Sequence, residues 1–112
     1  MNIEDVKKKM SFIGGQYLDS AGLPISPESV EVTITKLAKS PVLNTRTMKE
    51  DEKWILHIEE LPEFPIVLGA KTNRKFLMAK LGALPWTGKK VKICNDTSVK
   101  AFGRVGAVRF TL

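Results

Sequence analysis

The chain of 112 residues contains one cysteine and one histidine, and it has no long uninterrupted apolar segment. A single cysteine, Cys94, cannot form a disulfide within the chain, so the sequence predicts a reduced, cytoplasmic setting in which the core alone provides stability. The longest apolar runs, such as residues 65–70, are far shorter than the ~20 residues that a membrane-spanning helix needs. The charged N-terminal residues also lack the apolar stretch of a secretory signal.

Motifs of known enzyme classes are absent as well. One histidine and one cysteine cannot build a zinc site of known spacing or a Cys/His nucleophile pair. The carboxylates cluster in residues 50–52 and 59–63, which we interpret as loop and strand-end charges and not as a metal-dependent nuclease site. The chain contains neither a P-loop nor a glycine-rich dinucleotide turn. We therefore expect a non-enzymatic protein with no cofactor and no metal.

Carboxylates are scarce in the C-terminal part of the chain. Residues 71–112 contain ten Lys or Arg and one acid, Asp96, so their net charge is +9. Residues 1–70 contain eight Lys or Arg and eleven acids, so their net charge is −3. Such an asymmetry favours a polyanionic partner, because Lys and Arg that neutralise phosphates release condensed counterions. A basic composition also arises from the need for solubility, so composition leaves both interpretations open.

The apolar pattern predicts a β-rich domain. Val30, Val32 and Ile34 alternate with polar residues, which is typical of a half-buried strand. The other expected elements are strands at residues 54–59, 66–68 and 90–94, a helix from Thr72 as N-cap to about Leu81 with Gly82 as C-cap, and a closing hairpin of residues 98–102 and 105–111. Residues 39–53 are polar and contain a proline, so we expect a long loop there.

This order predicts a mainly β fold with one helix, a small five-stranded OB-fold-like barrel with the helix between strands 3 and 4. We assign residues 30–112 to the barrel domain and residues 1–29 to an N-terminal lead-in segment. The lysine run Lys7–Lys9 is more typical of a solvated tail than of a helix.

Several short motifs carry a resemblance to a known family. They are Lys53–Glu60, Pro65–Leu68, Lys71-Thr72-Asn73, the turn Trp86-Thr87-Gly88-Lys89, and Ala107-Val108-Arg109. Together they resemble a family of small proteins encoded by bacteriophages and prophages, over roughly residues 30–112. The resemblance implies an OB-like barrel that works near single-stranded DNA in phage replication or recombination, in the cytoplasm of the bacterial host. It implies no catalytic residues.

Three aromatic residues have both a structural and a functional interpretation. Phe102, between Lys100 and Arg104, is the best candidate for stacking on a base, although it could equally close a small apolar cluster with neighbouring valines. Trp86 is more often a core anchor than a stacking platform at such a position, and Trp54 is expected to lie in the core.

The basic residues of the C-terminal part complete the candidate site. Lys90 and Lys92 on strand four would form a stripe with Arg109 if the two strands are neighbours, with almost no carboxylate nearby to compensate it. The full candidate set for nucleic-acid binding is Lys71, Arg74, Lys75, Lys89, Lys90, Lys92, Lys100, Phe102, Arg104 and Arg109.

We therefore predict a protein that binds single-stranded nucleic acid, with DNA favoured and RNA as the other option. The alternative is a protein-interaction module that inhibits or recruits a host or phage factor, or a phage structural adaptor.

Overall fold

The computed structural model describes residues 2–44, 46–68, 71–101 and 104–111. The helices are α1 (Ile3–Ile13), a 3₁₀ turn (Ser20–Gly22) and α2 (Lys71–Leu81). The strands are β1 (Val30–Asn44), β2 (Lys49–Ile58), β3 (Ile66–Val67), β4 (Lys90–Asn95), β5 (Lys100–Ala101), β6 (Arg104–Val105) and β7 (Val108–Thr111). None of the helices in these ranges is long and apolar enough to cross a bilayer.

The main sheet has five antiparallel strands in the order β3-β2-β1-β4-β7. The mainly β fold is thus confirmed, but the described sheet is open, and closure of a barrel between β3 and β7 is not among its pairings. The helical part also differs from the expected single helix. A second helix, α1, precedes the sheet in the chain, whereas α2 follows β3.

The long strand β1 connects two parts of the sheet. Its first residues, Val30–Thr33, pair with β4, and its later residues pair with β2 as far as Asn44. A bulge lies between Ile34 and Lys36, where the Thr35 hydroxyl donates a hydrogen bond of 3.1 Å to the carbonyl of His57. Because a bulge bends and twists a strand, β1 can change direction at the point where its neighbour changes.

The prediction of a long loop over residues 39–53 is wrong. Residues 39–44 and 49–53 extend β1 and β2 into a two-stranded ribbon, with Asn44 opposite Lys49 at its end. We call residues 39–44 together with 46–53 the arm. Its charged residues are compatible with strands because both faces of a projecting ribbon can reach solvent, and Pro41 is tolerated because this stretch of β1 lies beyond the pairing with β4.

The interpretation of the N-terminus as a tail is also wrong. Asn2 and Asp5 form a capping box, in which the Asn2 side chain accepts from the Asp5 amide at 3.1 Å and the Asp5 carboxylate accepts from the Asn2 amide at 3.2 Å. One turn apart on the inner face of α1, Val6 and Met10 are fully buried. The lysine run faces solvent while the helix completes the core.

The hydrophobic core lies between α1, the inner face of the sheet and α2. Its fully buried members include Val32, Ile34, Leu56, Ile93 and Leu77. The alternation predicted for the first and fourth strands is confirmed, since Val30, Val32, Ile34, Val91 and Ile93 are all buried.

Helix α2 lies close to the predicted range, but its start differs. Thr72 is inside the helix and not its N-cap. The predicted C-cap is confirmed, because Gly82 has a φ of +77° and its amide donates to the Met78 carbonyl at 3.0 Å. Asn73 is buried, and its side-chain amide donates to the Val108 carbonyl at 3.0 Å, which joins α2 to β7.

The predicted closing hairpin divides into two parts. A short pair, β5 and β6, forms a separate two-stranded sheet, and β7 returns to pair with β4. In β7, Phe110 is buried and Val108 is half-buried.

Candidate functional site

The basic residues predicted to form one surface lie in separate places. Lys71, Arg74 and Lys75 lie on α2, and Lys90 and Lys92 lie on the exposed face of β4. Lys100 is exposed on β5. Phe102 lies outside the described residues, and so does the side chain of Arg104.

The stripe on β4 and β7 exists, but its charge is partly compensated. The two strands are neighbours, and their register puts Cys94 opposite Arg109, so that Lys90, Lys92 and Arg109 share one face. Glu31 of β1 is opposite Lys92, and its carboxylate lies 3.8 Å from the Lys90 ammonium. The fold thus brings one acid from the N-terminal part beside the stripe, which the charge distribution along the sequence does not reveal.

Two predicted binding residues make hydrogen bonds within the fold. The Lys89 ammonium donates to the Leu81 carbonyl at 2.6 Å, at the C-terminal end of α2, where the helix dipole favours a positive charge. The Arg109 guanidinium donates to the Val108 carbonyl at 3.0 Å, and its side chain is half-buried. Both side chains thus have structural partners before any ligand binds.

The strongest site candidate is a cavity of about 380 Å³ between α2 and the sheet. We call it the indole cleft. It is lined by Leu37, Trp54, Lys71, Arg74, Lys75, Met78, Leu84 and Trp86. None of these eight described residues is acidic, and the chain's two tryptophans both contribute to the wall.

The two tryptophans differ in their surroundings. Trp86 is 3% exposed, and its indole N–H donates to the Gly82 carbonyl at 3.0 Å. It is a core residue, as its position before Gly88 predicts. Trp54 was expected in the core but is only half-buried, and the Lys39 ammonium lies 5.0 Å from the centre of its ring.

The register explains why Trp54 faces the cleft. Trp54 is opposite Lys39 and Leu56 is opposite Leu37, so these four residues share one face of the β1–β2 ribbon. Leu56 lies in the core, whereas Trp54 lies closer to the end of the ribbon, where less of the protein covers it. The alternation of the sequence predicts the shared face but not the point at which burial ends.

The cleft contains three of the ten residues predicted from sequence, and sequence reasoning missed the others. Leu37, Met78 and Leu84 gave no functional signal, because single apolar residues are common in any core. The two tryptophans were the detectable members, since an indole is also typical of a binding surface, although the sequence favoured a place in the core for both.

A smaller hollow adjoins the cleft on the arm side. It is lined by Lys39, Glu52, Lys53, Trp54, Leu68 and Arg74. Trp54 and Arg74 border both spaces, so the two form a continuous surface with Trp54 at the junction. Glu52 is the acid nearest to the site among these residues.

Two ionisable side chains outside the cleft, His57 and Cys94, have shifted pKa values. Burial, followed by the charge of Lys36, lowers the pKa of His57 and so favours the neutral imidazole. Burial and the nearby Asp96 carboxylate raise the pKa of the Cys94 thiol. Within the described ranges, no three His, Cys, Asp or Glu side chains are placed to hold a metal ion.

Comparison with known proteins assigns no family to this chain. No family model, curated protein or solved structure matches this chain.

Proposed function

We propose that the protein binds single-stranded nucleic acid in the indole cleft, with single-stranded DNA as the first substrate to test. The observation that carries the proposal is the combination of two indoles, apolar walls and three cations in a cavity without a lining carboxylate. Every base has an apolar π face that can stack on an aromatic ring, and the linked phosphates need positive charge nearby. The cleft offers both within one cavity.

The half-exposed Trp54 is the stacking residue in this proposal. Its ring is available from the cleft, whereas Trp86 forms the floor and is held by its hydrogen bond to Gly82. Lys71, Arg74 and Lys75 follow one another along the first two turns of α2, beside the cavity. They are placed to contact the phosphates on either side of a stacked base.

The fold fits the same proposal. An OB-fold is a five-stranded, partly open barrel that binds oligonucleotides on the face of its second and third strands and on adjacent loops. We propose that the sheet β3-β2-β1-β4-β7, with α2 after the third strand, is such a barrel left open between β3 and β7. Trp54 lies on β2, one of the two strands that this fold uses for binding.

The test compares two pairs of lysines by fluorescence anisotropy of labelled single-stranded and duplex DNA. Lys71→Glu/Lys75→Glu removes charge from the cleft, and we expect it to lower the affinity for the single strand at least about tenfold. Lys90→Glu/Lys92→Glu reverses the same number of charges on β4, where Glu31 lies beside them, and we expect the affinity to change by no more than about twofold. Glu at the start of α2 also favours the helix dipole, so loss of folding does not explain the expected result.

Two results would contradict the proposal. One is an absence of any salt-dependent anisotropy change with the wild-type protein at low ionic strength. The other is an equal loss of affinity in the two lysine pairs, which would assign binding to general basicity. Absence of binding would instead favour the protein-interaction module, and the phage origin stays a prediction in either case.

A further inference from the structure

Two further surfaces expose apolar side chains beside charge, one on α1 and one on the outer part of the arm, beyond Trp54. The first is an open groove of about 750 Å³ along α1, which is lined by Asp5, Lys8, Lys9, Phe12, Ile13 and Ala21. Phe12 is 94% exposed and Ile13 is 46% exposed. Since Val6 and Met10 of the same helix are buried in the core, a phenylalanine left this exposed is unusual for a surface helix.

The charge around this groove is mainly positive. Lys8, Lys9 and Phe12 are one turn or less apart on the same helix face, because residues three and four positions apart are neighbours on a helix. Asp5 also lines the groove, but its carboxylate accepts the hydrogen bond from the Asn2 amide in the capping box. The groove thus combines an exposed aromatic ring with two ammonium groups.

The second surface is one face of the arm. The register puts Leu43 opposite Glu50 and Pro41 opposite Glu52, so these four residues lie on the same face of the ribbon. Leu43 is 52% exposed, and both glutamates are exposed. At the end of the arm, Met48 is 73% exposed and has a φ of +57°. The outer end of this face is apolar and acidic, with Lys39 on the same face closer to the sheet, whereas the α1 groove is apolar and mainly basic.

We propose that the occupant of the α1 groove is the arm of a second copy of this chain. Glu50 and Glu52 would lie near Lys8 and Lys9, and the Leu43 side chain would cover Phe12. Charge complementarity supports this choice, because the groove carries Lys8 and Lys9 and the outer end of the arm face carries Glu50 and Glu52. The two surfaces are different parts of the molecule, so the contact is heterologous and links copies head to tail.

Sedimentation velocity of the full chain without nucleic acid tests the proposal. We expect association that increases with concentration and weakens at least about tenfold between about 50 mM and 500 mM salt, because the contact depends on exposed charges. The arm variant Leu43→Ser/Glu50→Lys/Glu52→Lys and the groove variant Lys8→Glu/Phe12→Ser should each be monomeric. All of these residues are exposed, so we expect the thermal unfolding of both variants to match that of the wild type.

Mixing the two variants provides the decisive result. The arm variant retains an intact groove and the groove variant retains an intact arm, so an equal mixture should form dimers and no larger species. The matched control is Lys7→Glu, which changes the neighbouring exposed lysine that does not line the groove and should preserve association.

Three outcomes would overturn the proposal. The wild type could be monomeric up to about 1 mM, the mixture of variants could remain monomeric while the wild type associates, or Lys7→Glu could abolish association as fully as the groove variant. None of these results depends on nucleic-acid binding, so the outcome is separate from that of the proposed function.

Discussion

Trp54 and Trp86 border the same cavity, yet one side chain is half-buried and the other is almost wholly buried. The buried indole has its polar atom satisfied by the Gly82 carbonyl, which is the usual condition for a tryptophan in a core. The half-buried indole has a lysine ammonium over its ring and open space beside it. At the scale of single residues, Trp54 is therefore the better probe of function and Trp86 the better probe of folding.

Replacement of Trp54 tests the stacking role. We expect Trp54→Ala to weaken binding of a single-stranded oligonucleotide by about 10- to 100-fold, because base–aromatic stacking contributes ~1–3 kcal/mol per base. Trp54→Phe retains a ring and should lose less. Anisotropy titrations measure both, and wild-type affinity in Trp54→Ala would show that no base stacks there.

At the scale of elements, α1 and the arm are the two segments whose structure differs most from the expectation. Both segments contain runs of charged residues, which are typical of solvated tails and loops. In α1 the charge occupies the outer face while Val6 and Met10 occupy the inner face. In the arm, cross-strand pairing satisfies the backbone although few side chains are buried. Charge density therefore predicts exposure in both segments, but it does not predict the absence of secondary structure.

Truncation of Met10 tests whether α1 stabilises the domain. The side chain is fully buried in the core cluster, so we expect Met10→Ala to lower the free energy of unfolding by about 2–5 kcal/mol. The adjacent Ser11 is exposed, and Ser11→Ala should change that free energy by no more than about 0.5 kcal/mol. Urea unfolding followed by circular dichroism gives both values. Equal free energies of unfolding for the two variants would show that α1 does not stabilise the domain.

At the scale of the whole molecule, the fold redistributes the charge that the sequence separates. Ten of the basic residues lie in residues 71–112, but the structure places them on α2, on β4, on β7 and around the β5–β6 pair. Acids from the first part of the chain, such as Glu31, lie among them. The molecule therefore has several basic regions of limited size, and the indole cleft combines one of them with apolar walls and no lining acid.

The salt dependence of binding distinguishes a local site from a general basic surface. Each phosphate contact on a single strand contributes a slope of about −0.7 to a plot of log K against log salt concentration. The three cations of the cleft predict a slope of about −2, whereas engagement of all ten basic residues predicts about −7. Anisotropy titrations over a range of salt concentrations measure this slope, and a value near −7 would contradict the confinement of binding to the cleft.

The sequence by itself determined the local features that depend on spacing along the chain. The alternation of Val30, Val32 and Ile34 and of Val91 and Ile93 predicts strands with one buried face, and Gly82 predicts the end of α2. These features follow from periods of two residues in a strand and from the left-handed conformation that glycine adopts readily. The mainly β class followed from the same patterns.

Only the tertiary structure decided which distant residues meet. The bulge in β1 and its two sets of pairings bring Leu37 and Trp54 to α2, and they bring Glu31 to Lys90. Sequence patterns carry no record of such pairings, because strand register and helix packing depend on contacts between residues far apart in the chain. The charge asymmetry was therefore visible in the sequence, whereas the cleft with its two indoles was defined by the fold.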